Sequence, residues 1–282
     1  MVFGIPETVI SEAVERALAE DVGSGDITTL ATVEEKRRCK AEIVAKAEGV
    51  IAGLELAEAI FRALDPRVKF EAAVEDGERV AAGTLVARVE GAARAILTGE
   101  RSALNFLQRM SGIATLTAQY VAAVEGTKAR ICDTRKTAPG LRALDKYAVR
   151  AGGGWNHRAG LFDGVLIKDN HIKAAGGIAE AVARTRKAAQ HLAKVEVETT
   201  TLAEVQEAVE AGAEVVMLDN MGAAEMARAV ELVGGRCEIE VSGGVTLETV
   251  RAAAECGVDY ISVGALTHSA PALDISLGIV GE

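Results

Sequence analysis

The chain has 282 residues, 49% of them hydrophobic and 26% charged, and its 31 Lys+Arg against 41 Asp+Glu give a formal charge of −10. That acidity, with aromatics at only 3%, argues against a nucleic-acid binder, which needs a basic field against phosphates or stacking platforms for bases. Cys39, Cys132, Cys237 and Cys256 form no C-x-x-C pair, the opening residues carry no signal-peptide pattern, and no apolar run nears the roughly 20 residues that cross a bilayer, so a cytoplasmic globular protein in a reducing compartment is expected.

The first element is a helix: Val9, Ile10, Ala13, Val14, Ala17 and Leu18 recur at helical spacing. A Gly-rich turn, Glu20 to Asp26, ends it. From Cys39 to Gly49 the period switches to two, with Cys39, Ala41, Ile43, Ala45 and Ala47 on one side, which reads as a half-buried strand with antiparallel neighbours. A short helix follows over 54–64, then an extended run from Val68 to Val74, then two runs around the turn signals Glu75-Asp76-Gly77 and Ala82-Gly83. The segment GERVAAGTLVARVEG also resembles the hairpin of a biotinyl or lipoyl carrier domain. The lysine such carriers modify is missing, so a β-rich structural unit is expected and a carrier scaffold is the weaker alternative.

Residues 98–124 form the longest helical pattern, striped by Leu104, Leu107, Met110 and Leu116. Beyond it, short apolar runs (ARICDT, VLIKDN, VEVETT, VVMLDN, EIEVSG, YISVGA) alternate with helical stretches over 178–190, 202–211, 222–233 and 246–256. Such alternation indicates a parallel sheet. The runs end on Asp133, Lys168, Glu198, Asp219, Ser242 and Gly264, and the last three intervals are 21, 23 and 22 residues, about one βα unit each. A series this regular closes most naturally into a barrel, whose strand ends converge on one mouth. Asp and Glu at strand ends also serve as helix caps. Lysine does not, and six consecutive polar ends favour a functional mouth.

Local charge opposes the global charge. Between Arg130 and Lys173 nine basic residues face four acidic ones, a net of +5 that leaves −15 for the rest of the chain. A basic pocket in an acidic protein suits small polyanions: Arg135 and Arg158 can grip carboxylate or phosphate bidentately, with Lys136 and Lys168 as point charges. Arg142, Lys146 and Arg150 have the spacing of one exposed helix face. SGG at 242–244 and SVGA at 262–265 lie where barrel enzymes commonly bind phosphate. His157, in GGGWNHR, is the best-placed histidine; His191 and His268 are expected to be structural, and Trp155 to pack.

Taken together, the stretches EDVGSGDITT, GERSALNFLQRMSGIAT, DTRKTAPGLRALDKYAVRAGGGWNHRAGLFDGVLIKDNHI, VEVET, VMLDNM, EVSGGV and ISVGALTHSAPALDISL resemble the quinolinate phosphoribosyltransferases, nearly end to end and in order. The resemblance implies an N-terminal α/β sandwich over 1–110 and an incomplete (open) TIM-like α/β barrel over 111–282. It implies transfer of phosphoribosyl from phosphoribosyl pyrophosphate to quinolinate with decarboxylation, assisted by Mg²⁺, in a homodimer or higher homo-oligomer. Arg135, His157 and Arg158 match residues that hold the pyridine carboxylates, Arg101 one that reaches in from a partner subunit, and Thr134 a neighbour in the same motif. Lys136 and Lys168 match lysines facing carboxylate and pyrophosphate. Glu198 and Asp219 match acids near ribose and metal, the metal held directly or through water. Ser242, Gly243 and Gly244, with Val263, Gly264 and Ala265, match the loops that take the 5′-phosphate. Ser102 stands where the family's ER-T-ALN run has threonine. Two enzymatic alternatives remain open here: a paralogue with another acidic ring, though three arginines favour a dicarboxylate, and an aldolase-like barrel with Lys168 as Schiff base.

Overall fold

The computed structural model describes residues 4–190 and 193–281, and His191 therefore lies outside the described residues. Two compact units emerge, both discontinuous in sequence. One takes residues 1–118, 137–153 and 266–282, the other 119–136 and 154–265.

In the first unit α1 (Glu7–Asp21) buries Ile10, Ala13 and Val14. After it α2 (Ile27–Thr32) starts at Asp26, whose carboxylate accepts the Thr29 N–H at 2.9 Å, an N-cap that meets one orphan helix donor. Strand β1 (Arg38–Ala45) alternates as its sequence demands, burying Cys39, Ala41, Ile43 and Ala45. The alternation is not one continuous strand to Gly49: β2 (Gly49–Val50) is a separate piece. Helix α3 (Leu54–Leu64) then buries Leu56, Ala57, Ile60 and Phe61. No side chain of its own caps it. Asp76, distant in sequence, accepts the N–H groups of Gly53 and Leu54 at 2.9 and 3.2 Å and the Tyr147 hydroxyl at 2.7 Å. The run at 68–74 supplies β3 (Lys69–Ala72), followed by β4 (Arg79–Val80), β5 (Leu85–Ala92) and the 31-residue α4 (Ala93–Ala123).

The carrier-like segment is not a hairpin. β4 pairs with β2, whereas β5 lies between β1 and β3, so its two halves join different sheets.

Beyond α4, β6 (Arg130–Cys132) is followed by α5 (Arg142–Ala151). Then come β7 (Val165–Ile167), α6 (Asp169–Ala175), α7 (Ile178–Ala188), β8 (Val195–Thr199) and α8 (Leu202–Glu210). The chain continues through β9 (Val215–Asp219), α9 (Ala223–Val233), β10 (Glu238–Ser242), α10 (Val250–Glu255) and β11 (Tyr260–Ser262). The last elements are α11 (Ala265–His268) and β12 (Ile275–Gly281).

β12 and α5 return to the first unit. β12 adds antiparallel to β1, completing the sheet β12-β1-β5-β3, with Ile43 opposite Leu277 on one side and Ala87 on the other. Close approach shapes the helix behind it: a Cβ on Gly112 of α4 would lie 2.0 Å from the Pro271 carbonyl oxygen, so only glycine fits. The basic face read on α5 is not exposed. Lys146 is buried, and Arg142 and Arg150 are half-buried, because α5 packs within its unit. Beside them Asp145, fully buried, takes a bidentate contact from Arg109 at 2.8 and 2.9 Å and the Ala138 N–H at 3.2 Å.

The second unit is one parallel sheet, β6-β11-β10-β9-β8-β7, with helices between successive strands. β6 and β7 are its edges and do not pair among the described residues, so the barrel is open. The core strands β8, β9 and β10 are apolar except where Glu196, Glu198, Thr199, Asp219, Glu238, Glu240 and Ser242 interrupt them. No helix of the described residues is long and apolar enough to cross a membrane.

Candidate functional site

Parallel strands in register bring their last residues level: Ser242 of β10 lies opposite Asp219 of β9, and Glu198 of β8 opposite Met217. Side chains two apart share a face. Glu196 and Glu198 therefore share one face of β8, as Glu240 and Ser242 share one of β10. Buried Glu196 and Glu240 form a lower layer; half-buried Glu198, Asp219 and Ser242 form the mouth.

Lys168 occupies the N-cap position of α6, yet its side chain does not cap. His171 does that work: its Nδ1 accepts the Lys168 N–H at 3.0 Å, a structural role for this histidine. The Lys168 ammonium is free to reach across to Glu198, Nζ to Oε2 3.4 Å, and remains half exposed. A Schiff-base lysine is favoured by desolvation in an apolar pocket; this one stands beside a carboxylate in water.

Asp133 is not a cap either. Fully buried, it accepts the His157 N–H at 2.8 Å and the Asn156 amide at 2.6 Å. Trp155 bridges to Cys132 along the free edge of β6 and lies under the Arg130 guanidinium, 4.1 Å from ring centre, half exposed rather than core. These contacts fix the turn that carries His157 and Arg158. Downstream, Asp163 accepts the N–H groups of Ala159 and Gly160, and Arg158 donates to the Gly164 carbonyl at 3.0 Å, knitting a tight loop.

Arg158 is held half-buried with like charge nearby. Burial first, then the Arg135 guanidinium, pull its pKa down, with Glu196 and Asp163 opposing. Arginine stays charged regardless, so here like charge is held near like charge in partial desolvation. Thr134 folds the same segment, its hydroxyl accepting the Lys136 N–H at 3.0 Å; Lys136 itself is exposed. Val263 is buried, its N–H bonded to the Cys132 carbonyl at 2.9 Å. Gly264 and Ala265 follow at the end of β11, half-buried. Gly243 and Gly244 take φ of +91° and +60°, an open left-handed turn after β10. Arg101 lies elsewhere, exposed on α4 in the first unit, and Ser102 beside it is buried with its hydroxyl 3.4 Å from Asp21. His268 is exposed, its Nδ1 2.6 Å from the Ser269 hydroxyl.

Three residues escaped the sequence reading. Glu196 and Glu240 lie under His157, whose Nε2 is 3.1 Å from Glu196 and 3.6 Å from Glu240. Burial, reinforced by the Glu196 carboxylate, holds the Glu240 carboxyl well above the usual carboxylate range. The trio has the separations of a metal site. Its proton geometry argues otherwise: the Arg158 N–H donates to His157 Nδ1 at 2.8 Å, so the other ring nitrogen carries the hydrogen and points it at the carboxylates. An acid inside an otherwise apolar parallel strand was the available signal. The third is Asn220, next to Asp219.

Comparison with known proteins identifies the family. Residues 113–278 match the quinolinate phosphoribosyl transferase C-terminal domain and residues 26–111 its N-terminal domain. A probable nicotinate-nucleotide pyrophosphorylase [carboxylating] of Bacillus subtilis is 47% identical over 260 residues, spanning 92% of this chain and 90% of that one. The corresponding protein of Synechocystis is 48% identical, over 98% of this chain and 94% of its own. The crystal structure of NadC from Streptococcus pyogenes superposes with a TM-score of 0.96 at 42% identity and 99% coverage of both chains.

Proposed function

The chain belongs to the quinolinate phosphoribosyl transferase family, and from that premise we infer that it transfers phosphoribosyl from phosphoribosyl pyrophosphate to quinolinate, releasing pyrophosphate and CO₂ and forming nicotinate mononucleotide for NAD biosynthesis. The observation that carries the reading is the pair Arg135 and Arg158, like charges held together near the strand ends of an open parallel barrel.

Quinolinate brings two carboxylates. Arg135 and Arg158, on the turns after β6 and before β7, take these bidentately, and Lys136 adds charge at the rim. His157 contributes by anchoring Arg158, since both its ring nitrogens are engaged inside the protein. Arg101 of a second subunit completes the dicarboxylate grip, which makes a homodimer or larger homo-oligomer the active form. The glycine turn at 242–244 and the segment 263–265 receive the 5′-phosphate, glycine letting backbone N–H groups approach the anion.

Departure of pyrophosphate leaves positive charge on the ribose ring. Glu198 and Asp219, on adjacent strands, stabilise it, and Lys168, poised on Glu198, turns to the leaving pyrophosphate. Two hard-oxygen carboxylates at the mouth suit Mg²⁺, which keeps several waters and prefers such donors. Glu198 and Asp219 would hold it, directly or through water, and when bound it supplies charge neutralisation at the pyrophosphate. Attack by the pyridine nitrogen makes the ring cationic, and loss of the adjacent carboxylate as CO₂ then leaves a carbanion stabilised as an ylide, which takes up a proton from water to give nicotinate mononucleotide. No covalent nucleophile is required. Holding two polyanions in register supplies much of the acceleration, since proximity is worth roughly 7–11 kcal/mol. A cytoplasmic location, where both substrates are soluble metabolites, fits this chemistry.

The test is an assay with quinolinate, phosphoribosyl pyrophosphate and Mg²⁺ that follows nicotinate mononucleotide and CO₂ together, with nicotinate in parallel. Equal yields of both products from quinolinate and little from nicotinate are expected; product from nicotinate without CO₂ would move the protein to a monocarboxylate acceptor. Borohydride with either substrate is expected to trap no adduct on Lys168.

A further inference from the structure

Asn220 is the only non-glycine residue at positive φ among the described residues, at +55°. It follows Asp219 at the end of β9 and is exposed, so burial does not demand its conformation. Its side-chain amide donates to Asp219 Oδ2 at 2.9 Å. Its backbone N–H donates to the Ser242 carbonyl at 3.0 Å, the last rung between β9 and β10. Its side chain also fills the space in front of Gly243, where a Cβ would lie 2.4 Å from Asn220 Oδ1 and 2.5 Å from its Cγ. One side chain thus touches both the mouth acid and the glycine turn. A left-handed backbone, which asparagine tolerates better than most non-glycine residues, kept at a strand end with the side chain against both groups, points to a positioning task.

We propose that Asn220 is a positioning residue that locks the Asp219 carboxylate to the 242–244 turn, so that the acid and the phosphate-receiving backbone hold one fixed separation. The inference rests on the roles given above to Asp219 and to that turn. Asn220 does not touch the pyridine substrate. Its amide removes one rotamer choice from Asp219, and its side chain occupies the space that a side chain at Gly243 would need. The donor points at the carboxylate, which leaves the second carboxylate oxygen for the ribose side. Phosphoribosyl pyrophosphate is the substrate that spans both groups, so loosening the link alters how that substrate is held and how it reacts, while quinolinate, held on the turn at 133–136 and at Arg158, is unaffected.

The substitution Asn220→Gly separates this role from a backbone one, since glycine accepts the same φ without cost and lacks the amide. The expected result is a KM for phosphoribosyl pyrophosphate raised about tenfold and a kcat lowered about tenfold, the size of one hydrogen bond to a charged group. Quinolinate affinity, titrated directly by calorimetry, and the melting temperature are expected to stay at wild-type values. Asn220→Asp, which tolerates the left-handed backbone but sets a like charge against Asp219, should show the same split more strongly. In a double-mutant cycle, Asn220→Gly should add little once Asp219→Asn is present, because its partner has changed. An Asn220→Gly enzyme with unchanged kinetics, an additive cycle, or a parallel loss of quinolinate affinity would each overturn the proposal. An inactive wild type would overturn the assigned reaction and this role together, whereas an active wild type with an unaltered Asn220→Gly variant overturns this role alone.

Discussion

The two units handle charge in opposite ways. In the first, buried or half-buried acids meet their partners completely: Asp145 has the Arg109 fork and a backbone N–H, and Asp76 closes α3 and holds Tyr147, whose hydroxyl is pushed up by burial and by that carboxylate. In the second, like charges are kept close. Arg135 stands near Arg158, and Glu196 beside Glu240, with a neutral histidine between the layers. Opposite charges in contact stabilise a fold, whereas like charges held close favour a ligand of the opposite sign. The difference teaches where to look for function in this chain: at like charges that the protein holds near one another.

That contrast can be broken from either side. The largest effect is expected in the first unit. Asp145→Ala leaves Arg109 without its fork and Ala138 without its acceptor, and should cost about 3 kcal/mol of stability, the low end for a broken buried pair because Arg109 is partly exposed. Urea unfolding checks this. A loss within a few tenths of a kcal/mol would mean that the pair is not a structural anchor.

In the second unit Asp219→Asn should change stability little and lower kcat about 100-fold, with a smaller rise in KM. A KM effect larger than the kcat effect would make Asp219 a binding group only. Arg135→Ala should mainly weaken quinolinate, again by about 100-fold, as expected for removing one bidentate charge-assisted contact. Unchanged quinolinate affinity would refute its assignment.

The smallest effect concerns pH. Glu240 keeps its proton in the folded protein to higher pH than in the unfolded chain. Below the ordinary carboxylate range both states are protonated and the group is silent. As pH rises past that range the unfolded chain ionises first, so stability falls until the folded carboxyl also ionises. Glu240→Gln removes this slope. Between about pH 5 and about pH 8 the wild type should lose stability relative to the variant, measured by melting temperatures across the range. Parallel curves would show that the Glu240 carboxyl titrates normally.

Much of this organisation was legible in the residues. The period-two alternation at Cys39–Ala45 placed β1 and its antiparallel neighbours, and the apolar runs ending on Lys168, Glu198, Asp219 and Ser242 placed the mouth. Glu196 and Glu240 were missed because period alone treats a strand position as inward or outward, and an inward acid looks like an outward one until its neighbours are known. Asn220 was missed for a related reason: asparagine tolerates the left-handed region without requiring it, so the run VVMLDN does not by itself fix a positive φ.

Sequence alone located the long helices, the alternating strand β1 and the apolar core strands with their polar ends, because alternation and helical spacing are local records of burial. Only the tertiary structure decided that residues 137–153 and β12 return to the first unit, that β4 and β5 part into different sheets, and that Lys146 is buried. It also decided which nitrogen of His157 carries the hydrogen, through the Arg158 N–H that meets the other. The physical reason is the same in each case. Strand pairing, burial of a charge and the direction of a hydrogen bond depend on partners far away in the chain, and no local pattern records a partner.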